Sequence, residues 1–426
     1  MHTCYSGCVL MNLNNRTAAF ARVTALAALR PVHSAFVWIH QNPKTMMDWQ
    51  AELTAIPGPP FGEEARAVWM AARFAEAGLE RIETDAVGNV YGWLPAPALP
   101  EESTGPVVVL SAHLDTVFPA STPLHPRLEG DTLRAPGVCD NGAGVIGMLG
   151  IAHALRQSGI ELRAPLVFMG NVGEEGEGDL RGVRYLYQNH PLAGRIAAHV
   201  ILDGAGTDTA VTRALGSRRF LITIQGPGGH SFTDAGNPNP IAALSSALTH
   251  FADTPLPVEP VTTINLGTIR GGTSVNAIPE SVQASVDMRS TSPDQLQRLE
   301  VALFRAVENA IGQANQKALP LARKPLTFQI ARIGDRPAAF LPEGSPLMAA
   351  LQAVDRHLGL HSEQRLGSTD ANIPLSLGIP ALSMGAGGEG GGAHTVSEWY
   401  SDRDRETGLK RVLLLTLSMV EWTAEI

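Results

Sequence analysis

The chain has 426 residues, of which 44% are apolar and 17% charged, and its formal net charge is −9. This composition is typical of soluble globular proteins, and the length exceeds what one ordinary core organises, so we expect two domains. The negative charge and the lack of a Lys/Arg cluster argue against nucleic-acid binding, and no apolar run reaches the roughly 18 residues that a membrane-spanning helix needs. Three cysteines, Cys4, Cys8 and Cys139, are too few for a disulfide framework, which favours a reducing compartment, the cytoplasm.

The N-terminal segment differs from the rest because it contains no Asp or Glu before residue 48. We expect a flexible extension over residues 1–47, with Met46 or Met47 as a plausible true start. A targeting peptide is the alternative interpretation. Its apolar stretch would contain Arg22, however, and no convincing cleavage site follows.

From residue 48 onward the pattern alternates between strands and helices. Continuous apolar runs predict strands buried on both faces at residues 106–111, 165–170, 197–202 and 380–384. Apolar residues at helical spacing predict helices at 63–77, 142–156 and 345–358, and a strand pair is expected within 81–94. This alternation predicts an α/β fold with helices on both faces of a mostly parallel sheet.

The pattern changes between residues 215 and 333. Strands with period-2 character are expected at 218–225, 261–270, 281–289 and 326–332, and helices at 239–251 and 293–313. This arrangement predicts an inserted α+β domain of roughly 120 residues, a typical size for a small domain. The catalytic domain would then comprise residues 48–214 and 334–426.

Residues able to bind metal follow the four buried strands. In open α/β sheets, ligands bind at the carboxyl ends of the strands. The residues expected there are His113, Glu174, Glu175, Asp203 and His394. Their shared placement is stronger evidence for a site than any one of them.

Taken singly, these residues have structural interpretations. His113 could be a surface histidine, and Asp140, in a glycine-rich turn, could cap the next helix. Glu174 and Glu175 could form a solvated acidic loop, although adjacent carboxylates at a buried strand end resist desolvation unless a cation lies between them or one of them takes up a proton. Asp115 is placed to orient the His113 ring. Together, two histidines and three carboxylates suit two Zn²⁺ ions about 3.5–4 Å apart, with one further carboxylate as general base.

Eight motifs connect the sequence to a known family. They are SAHLDT (111–116), PGVCDNGAG (136–144), NVGEEGEGDLRG (171–182), LDG (202–204), GPGGHS (226–231), GGTSVNAIP (271–279), VDMRS (286–290) and GGAHT (391–395). With them the chain resembles, over about residues 48–424, the co-catalytic dizinc peptidases and amidohydrolases, which include peptidase T, carboxypeptidase G, acetylornithine deacetylase and succinyl-diaminopimelate desuccinylase. The peptidase T-like branch is the most similar. The resemblance implies a zinc-exopeptidase-like catalytic domain with an inserted lid and dimerisation domain.

The resemblance also implies a role for each residue at the strand ends. Asp140 would bridge two Zn²⁺ ions, with Co²⁺ or Mn²⁺ as alternatives. His113 and Asp203 would complete one metal site, and Glu175 and His394 the other.

Catalysis would depend on two further carboxylates. Glu174 would be the general base that deprotonates the bridging water and later protonates the leaving amine, and Asp115 would orient His113. The peptide bond between Asp140 and Asn141 would be cis.

The inserted domain would supply residues to the substrate. By resemblance, His230 would reach the partner subunit's active site in a homodimer and stabilise the oxyanion. Asn276 and Arg289 would bind the substrate and its carboxylate, which suits the planar fork of a guanidinium. Each of these three residues has a structural alternative. His230 could be a structural histidine whose hydrogen bonds are made within the fold, Asn276 could cap a turn, and Arg289 could lie on a solvated strand face.

The leading hypothesis is a metal-dependent hydrolase that cleaves amide bonds of small peptides or N-acyl amino acids by attack of a dizinc-bound hydroxide. It would act as an exopeptidase or a deacylase. A lid-less dizinc aminopeptidase is disfavoured by the insertion, and a two-metal phosphoesterase by the lack of a local Arg/Lys cluster. The alternative from another class is an inactive binding or scaffold protein on the same fold.

Overall fold

The described part of the chain divides into two compact units. In this computed structural model it comprises residues 16–96, 105–319 and 324–426. The first unit contains the described residues up to Arg213 together with Phe340–Ile426, and the second unit is Ala214–Ala339. The insertion expected at residues 215–333 lies inside the second unit.

Helices and strands alternate along most of the chain. The helices are α1 (residues 16–27), α2 (Arg30–Gln41), α3 (Pro43–Thr54), α4 (Glu64–Glu76), α5 (Gly142–Ser158), α6 (Arg181–Gln188), α7 (Pro240–Ala252), α8 (Pro293–Lys317), α9 (Pro346–Leu358), α10 (Asn372–Ser376) and α11 (Arg405–Thr423). The strands are β1 (Glu80–Thr84), β2 (Val90–Leu94), β3 (Val107–His113), β4 (Arg127–Glu129), β5 (Thr132–Arg134), β6 (Leu166–Asn171), β7 (Ile196–Leu202), β8 (Thr209–Ala214), β9 (Gly216–Gln225), β10 (Gly229–His230), β11 (Thr262–Gly271), β12 (Ala277–Ile278), β13 (Ser281–Ser290), β14 (Thr327–Arg336), β15 (Ala339–Phe340), β16 (Glu363–Gly367), β17 (Ala381–Met384), β18 (Glu389–Gly391) and β19 (Trp399–Ser401).

The central sheet has the strand order β1-β2-β6-β3-β7-β17-β8-β15, and β16 pairs with β8. Strands β6, β3, β7 and β17 are parallel to one another, and β2 and β8 continue the sheet by antiparallel pairing. All residues of β3, β6 and β17 are buried, as expected for strands covered on both faces. The predicted α/β fold with a mostly parallel central sheet is confirmed, as are its four buried strands.

The N-terminal segment packs on the first unit, so the expected flexible extension over residues 1–47 is wrong for residues 16–47. Residues 1–15 lie outside the described part of the chain. Helix α2 contacts α5 and buries Val32 and Ile39 completely or nearly so. Apolar residues at helical spacing supply a face that covers α5, whereas a lack of acidic residues carries no information about packing.

Helix α5 is buried from Gly142 to Leu155 and lies close to its neighbours. A Cβ on Gly147 would be 2.5 Å from Cβ of Ala386, and a Cβ on Gly150 would be 2.8 Å from the sulfur of Met46. Contacts this close need glycine, which has no Cβ. They let the middle of α5 pack closely against the segments that carry Ala386 and Met46. No helix within the described residues combines the length and apolarity that crossing a membrane requires.

A small second sheet, in the order β18-β19-β5-β4, was not predicted. Each of its strands has three residues, which is too short for a recognisable alternation. Strand β19 pairs with β5, so that Trp399 lies opposite Arg134. This pairing brings the glycine-rich loop that precedes β19 next to the turn that follows β5.

The second unit is a four-stranded antiparallel sheet with two helices. Its strand order is β11-β13-β9-β14, and α7 and α8 pack on it around a core that includes Phe220, Phe251 and Leu303. The predicted strands and helices of this segment are confirmed. Strands β10 and β12 form a separate short ribbon, and β11 is an edge strand.

Candidate metal centre

Parallel strands of the central sheet end together and present polar side chains at that edge. His113 is the last residue of β3 and lies in register with Asn171, the last residue of β6. Glu174 and Glu175 follow β6 closely, and Asp203 follows β7 directly. The sheet topology therefore brings together residues that are far apart in sequence.

Asp140 lies between two imidazoles. Its Oδ1 is 3.2 Å from Nε2 of His113, and its Oδ2 is 3.1 Å from Nε2 of His394. On the first side, Oδ1 of Asp203 is 3.7 Å from Nε2 of His113. On the second side, Oε1 of Glu175 is 3.2 Å from Nε2 of His394. One carboxylate is thus shared by two groups of donor atoms, each with a histidine and a second carboxylate.

The carboxylates create a demand for positive charge at this edge. Burial by itself lowers the pKa of His113, but the neighbouring carboxylates of Asp115, Asp140 and Asp203 outweigh it and raise the pKa well above its usual value. The hydrogen bond to Asp140 is the main cause that raises the pKa of His394 to about 9. Protons on the imidazoles supply this charge in the metal-free protein, and cations would supply it in their place.

Two buried carboxyl groups in and beside the cluster have raised pKa values, which also indicates a need for positive charge. Burial, reinforced by nearby carboxylates, raises the pKa of Glu175 to about 7, and that of Asp370 also to about 7. Donor atoms of His113, Asp140 and Glu175 lie within 4.8 Å of one another. Imidazole nitrogen and carboxylate oxygen are the donors of zinc sites without cysteine. The residues present therefore fit divalent metal ions, and they form a candidate metal-binding cluster.

Asp115 holds the loop after β6 with its side chain. Its Oδ1 accepts the main-chain N–H of Glu174 at 3.0 Å, and its Oδ2 accepts that of Glu175 at 2.8 Å. Nδ1 of His113 lies 3.1 Å from the main-chain oxygen of Asp115 and 3.7 Å from its Oδ1. Asp115 therefore contacts the His113 ring through its carbonyl and, at ion-pair distance, through the same carboxylate that accepts the two amides. That Asp115 orients His113 stays a prediction.

The turn that carries Asp140 is tied to the end of β7. The Asp140–Asn141 peptide bond is cis, as the resemblance implied. Oδ1 of Asn141 accepts from the main-chain N–H groups of Gly144 at 3.1 Å and Gly204 at 3.0 Å, and its Nδ2 donates to the carbonyl of Leu202 at 2.9 Å. One buried side chain therefore caps α5 and also fixes the strand end that leads into the next candidate ligand.

A family model describes most of this chain. The model for peptidase family M20/M25/M40 matches residues 109–417, a span that includes the whole cluster. This chain belongs to peptidase family M20/M25/M40.

Relatives of this M20 chain include several probable carboxypeptidases. That of Talaromyces marneffei is 29% identical over 246 residues, which are 52% of this chain and 52% of the relative. That of Neosartorya fischeri is 27% identical, over 54% of this chain and 56% of the relative. This chain thus spans about half the length of these relatives. The uncharacterized protein YqjE of Bacillus subtilis is 24% identical over 364 residues, 82% of this chain and 91% of that protein.

Solved structures of other peptidases share the fold. Aminopeptidase PepT of Bacillus cereus matches with a TM-score of 0.68 at 19% identity, covering 88% of this chain and 98% of its own. The di-peptidase Dug1p of Saccharomyces cerevisiae matches with a TM-score of 0.68 at 13% identity, covering 92% and 99%. YXEP of Bacillus subtilis, described as a dinuclear metal binding peptidase from the M20 family, matches with a TM-score of 0.61 at 18% identity, covering 89% and 98%.

The residues expected in the inserted domain lie in the second unit. His230 belongs to β10, and the main-chain N–H of its neighbour Ser231 donates to the carbonyl of Asn276, 3.0 Å away, so these segments are adjacent. His230 and Asn276 are both exposed. Arg289 lies on β13, and its Nε donates to Oδ2 of Asp287 at 2.7 Å. Within this unit the structure thus places His230 and Asn276 on adjacent segments and Arg289 in an ion pair.

The sequence did not reveal that Asn89 supports the loop carrying the adjacent glutamates. Its Oδ1 accepts the main-chain N–H of Val172 at 3.1 Å, and its Nδ2 donates to the carbonyl of Gly182 at 3.0 Å. The buried Asn89 therefore ties down both ends of the loop that contains Glu174 and Glu175. An Asn beside a turn glycine is ordinary turn chemistry, so nothing in the sequence distinguished it.

Two buried carboxylates near the cluster were also missed. Oδ2 of Asp370 accepts from Nδ2 of Asn171 at 2.7 Å. The carboxylate of Glu398 accepts three main-chain N–H groups of the turn at residues 137–140. Neither residue follows a predicted strand; the only available signal for Glu398 was its place in the same loop as His394.

Proposed function

We propose that this chain is a metal-dependent hydrolase that cleaves amide bonds of small peptides or N-acyl amino acids with two Zn²⁺ ions per subunit. The observation that carries the proposal is the position of Asp140, whose two oxygens lie 3.2 Å from His113 and 3.1 Å from His394. Membership of a peptidase family supports amide hydrolysis. The description of the similar Bacillus subtilis protein as a dinuclear metal binding peptidase supports two metal ions.

Five side chains would hold the metal ions. His113 and Asp203 belong to one ion, Glu175 and His394 to the other, and Asp140 to both. When bound, Zn²⁺ polarises the scissile carbonyl and lowers the pKa of a coordinated water toward about 7. Co²⁺ and Mn²⁺ accept the same nitrogen and oxygen donors and are alternatives.

Glu174 is assigned the proton transfers. It is buried beside Glu175, and its main-chain N–H is held by Asp115 at 3.0 Å, which fixes where its side chain begins. As general base it takes the proton from the attacking water, and as general acid it later delivers a proton to the leaving amine. In this proposal the end of β6 supplies both a metal ligand, Glu175, and a general base, Glu174.

Residues of the second unit are assigned to substrate binding. His230 reaches the active site of the partner subunit in a homodimer and stabilises the oxyanion there. Asn276 binds the substrate, and Arg289 binds its carboxylate through two N–H groups. The exposure of His230 and Asn276 on adjacent segments supports this assignment. The 2.7 Å bond from Nε of Arg289 to Asp287 orients the guanidinium.

A homodimer that forms through the second unit is part of the proposal. The edge strand β11 is exposed from Asn265 to Gly271 and presents Leu266 and Ile269. An exposed apolar edge strand is suited to pairing with another strand. Light scattering after size exclusion should report a dimer that Ile269→Lys converts to monomers. A monomeric wild-type protein contradicts this part of the proposal.

The test of the activity is a hydrolysis screen of dipeptides, tripeptides and N-acyl amino acids with Zn²⁺, Co²⁺ and Mn²⁺, together with elemental analysis. Glu174→Ala should retain metal but lose about 10²–10⁴-fold in turnover, the usual contribution of a general base. Glu177→Ala is the matched control, because Glu177 is exposed in the same loop. Wild-type turnover by Glu174→Ala would remove Glu174 from the mechanism. A protein that binds no metal and hydrolyses no substrate of the screen would overturn the proposal.

A further inference from the structure

Glu398 is a fully buried carboxylate whose hydrogen bonds converge on one turn. Its Oε1 accepts the main-chain N–H groups of Cys139 at 2.8 Å and Asp140 at 2.7 Å. Its Oε2 accepts the main-chain N–H of Gly137 at 2.8 Å. Both oxygens of Glu398 therefore accept hydrogen bonds from the turn that carries Asp140, the residue between the two histidines.

The turn needs an anion at this place. Three N–H groups from residues 137–140 point at one position, an arrangement of amides that favours negative charge. Gly137 adopts a φ of 73° there, which an L side chain rarely does. A neutral amide in the place of Glu398 offers one acceptor oxygen, and its NH₂ group would face at least one of the N–H groups.

Glu398 also belongs to the loop that carries His394. A turn joins the two residues: the N–H of Thr395 donates to the carbonyl of Gly392 at 3.0 Å, and the N–H of Glu398 donates to that of Thr395 at 3.2 Å. The main-chain oxygen of Glu398 accepts from the N–H of Ala135 at 3.2 Å. Glu398 therefore connects the segment of His394 to the segment before Asp140 through its main chain as well as its side chain.

The contacts of Glu398 join the two segments that bring Asp140 and His394 close together in the candidate metal centre. Oδ2 of Asp140 and Nε2 of His394 are 3.1 Å apart although 254 positions separate them in sequence. Asp140 lies in the turn before α5, and His394 lies in the loop of residues 392–398. The side chain of Glu398 also joins these two segments directly.

We propose that Glu398 is a positioning residue that sets the metal affinity of the group formed by Asp140, Glu175 and His394. This inference rests on the proposed function, which makes those three residues ligands. Residues that orient ligands without touching the metal typically contribute about 10–100-fold to metal affinity or activity. The carboxylate acts by fixing the main chain of Asp140 relative to the loop of His394.

The test compares Glu398→Gln with Glu389→Gln. Glu389 lies on β18 of the same small sheet, its side chain is half exposed, and its nearest cation is Arg403 at 3.6 Å. Zn²⁺ affinity of the metal-free proteins is measured by competition with a chromogenic chelator, and melting temperature is measured on the same samples. Glu398→Gln should bind Zn²⁺ about 10–100-fold more weakly at one of two sites, and Glu389→Gln as wild type.

Excess Zn²⁺ supplies a second readout. Glu398→Gln should regain most of its kcat when Zn²⁺ is raised in proportion to the lost affinity, with KM unchanged, whereas damage to the fold alone would not be rescued. Wild-type Zn²⁺ affinity of folded Glu398→Gln overturns the inference. If Glu398→Gln does not fold, Glu398→Asp serves instead: its shorter carboxylate cannot reach all three N–H groups, and wild-type affinity there also overturns it.

The outcome is separable from that of the proposed function. Zn²⁺ affinity is measured without substrate, so a wild-type protein that binds Zn²⁺ but hydrolyses nothing contradicts the activity while leaving the role of Glu398 testable. A wild-type enzyme that hydrolyses peptides, together with a Glu398→Gln variant of unchanged affinity, contradicts the role of Glu398 alone.

Discussion

Replacing Asp115 by Asn perturbs the side chain that positions both adjacent glutamates. Asp115 is fully buried, and its two oxygens accept the main-chain N–H groups of Glu174 and Glu175 at 3.0 and 2.8 Å. Burial raises the pKa of Asp115, but its contacts with His113 and with the two amides outweigh burial and lower the pKa. The carboxylate is therefore charged at neutral pH, and Asn removes that charge and one acceptor.

The size of the stability loss in Asp115→Asn can be estimated from the two hydrogen bonds that Asp115 accepts. Asn keeps one acceptor oxygen and turns its NH₂ group toward the other N–H. A hydrogen bond to a charged group contributes about 1.5–3 kcal/mol, and a buried donor left unsatisfied costs about 1–3 kcal/mol. Since a small backbone shift can relieve the contact between donors, we expect the free energy of unfolding to fall by about 2–4 kcal/mol. Because Glu174 moves with its amide, kcat should fall by about 10–100-fold.

Urea unfolding of the metal-free proteins, followed by tryptophan fluorescence, measures the stability change without a contribution from bound metal. The kcat at saturating Zn²⁺ measures the functional change. Asp131→Asn is the matched control, because Asp131 is exposed in the turn between β4 and β5. Unfolding within about 0.5 kcal/mol of wild type, with an unchanged kcat, would refute the reasoning. Weaker Zn²⁺ binding with an unchanged kcat would instead favour orientation of His113 as the role of Asp115.

Three further predictions test other parts of the fold. A chain that begins at Met47 lacks α1 and α2 and should melt at lower temperature and aggregate, because the face of α5 is exposed; an unchanged melting temperature would contradict the packing described here. Burial lowers the pKa of His199 to about 3. Its contribution to the free energy of unfolding is therefore complete above the unfolded pKa of about 6.5 and is lost as pH falls toward 3. In urea unfolding, His199→Asn should make the stability of the protein decline less steeply over this pH range. Gly144→Ala should destabilise the protein by about 1–3 kcal/mol, because a Cβ would lie 2.0 Å from Oδ1 of Asn141, whereas Gly312→Ala, in open space on α8, should not.

Much of the candidate site could be predicted because strand ends converge in a parallel sheet. A continuous apolar run indicates a strand in the centre of the sheet, and the residue after it must lie at the carboxyl edge of that sheet. His113 and Asp203 were placed in this way, and the structure has them at that edge. The supporting contacts could not be predicted, since a hydrogen bond such as that from Asn89 to Val172 joins segments whose distance depends on the whole fold.

What sequence analysis misjudged or missed has a similar origin. The N-terminal segment was judged by charge, but whether an amphipathic helix packs depends on the surface available to it, and α5 offers one. Asp115 was expected beside His113 and lies there, but the sequence did not reveal that its carboxylate also accepts the amides of Glu174 and Glu175. Sequence distance is a poor guide when three segments meet.

By itself, the sequence determined the α/β class, the inserted domain and the set of residues with metal-binding side chains, because hydrophobic periodicity and residue chemistry are local properties. Only the tertiary structure decided that Asp140 lies between His113 and His394 and that Glu398 holds the turn of Asp140. Those contacts join residues up to 258 positions apart, and their distances depend on how strands, helices and loops pack together.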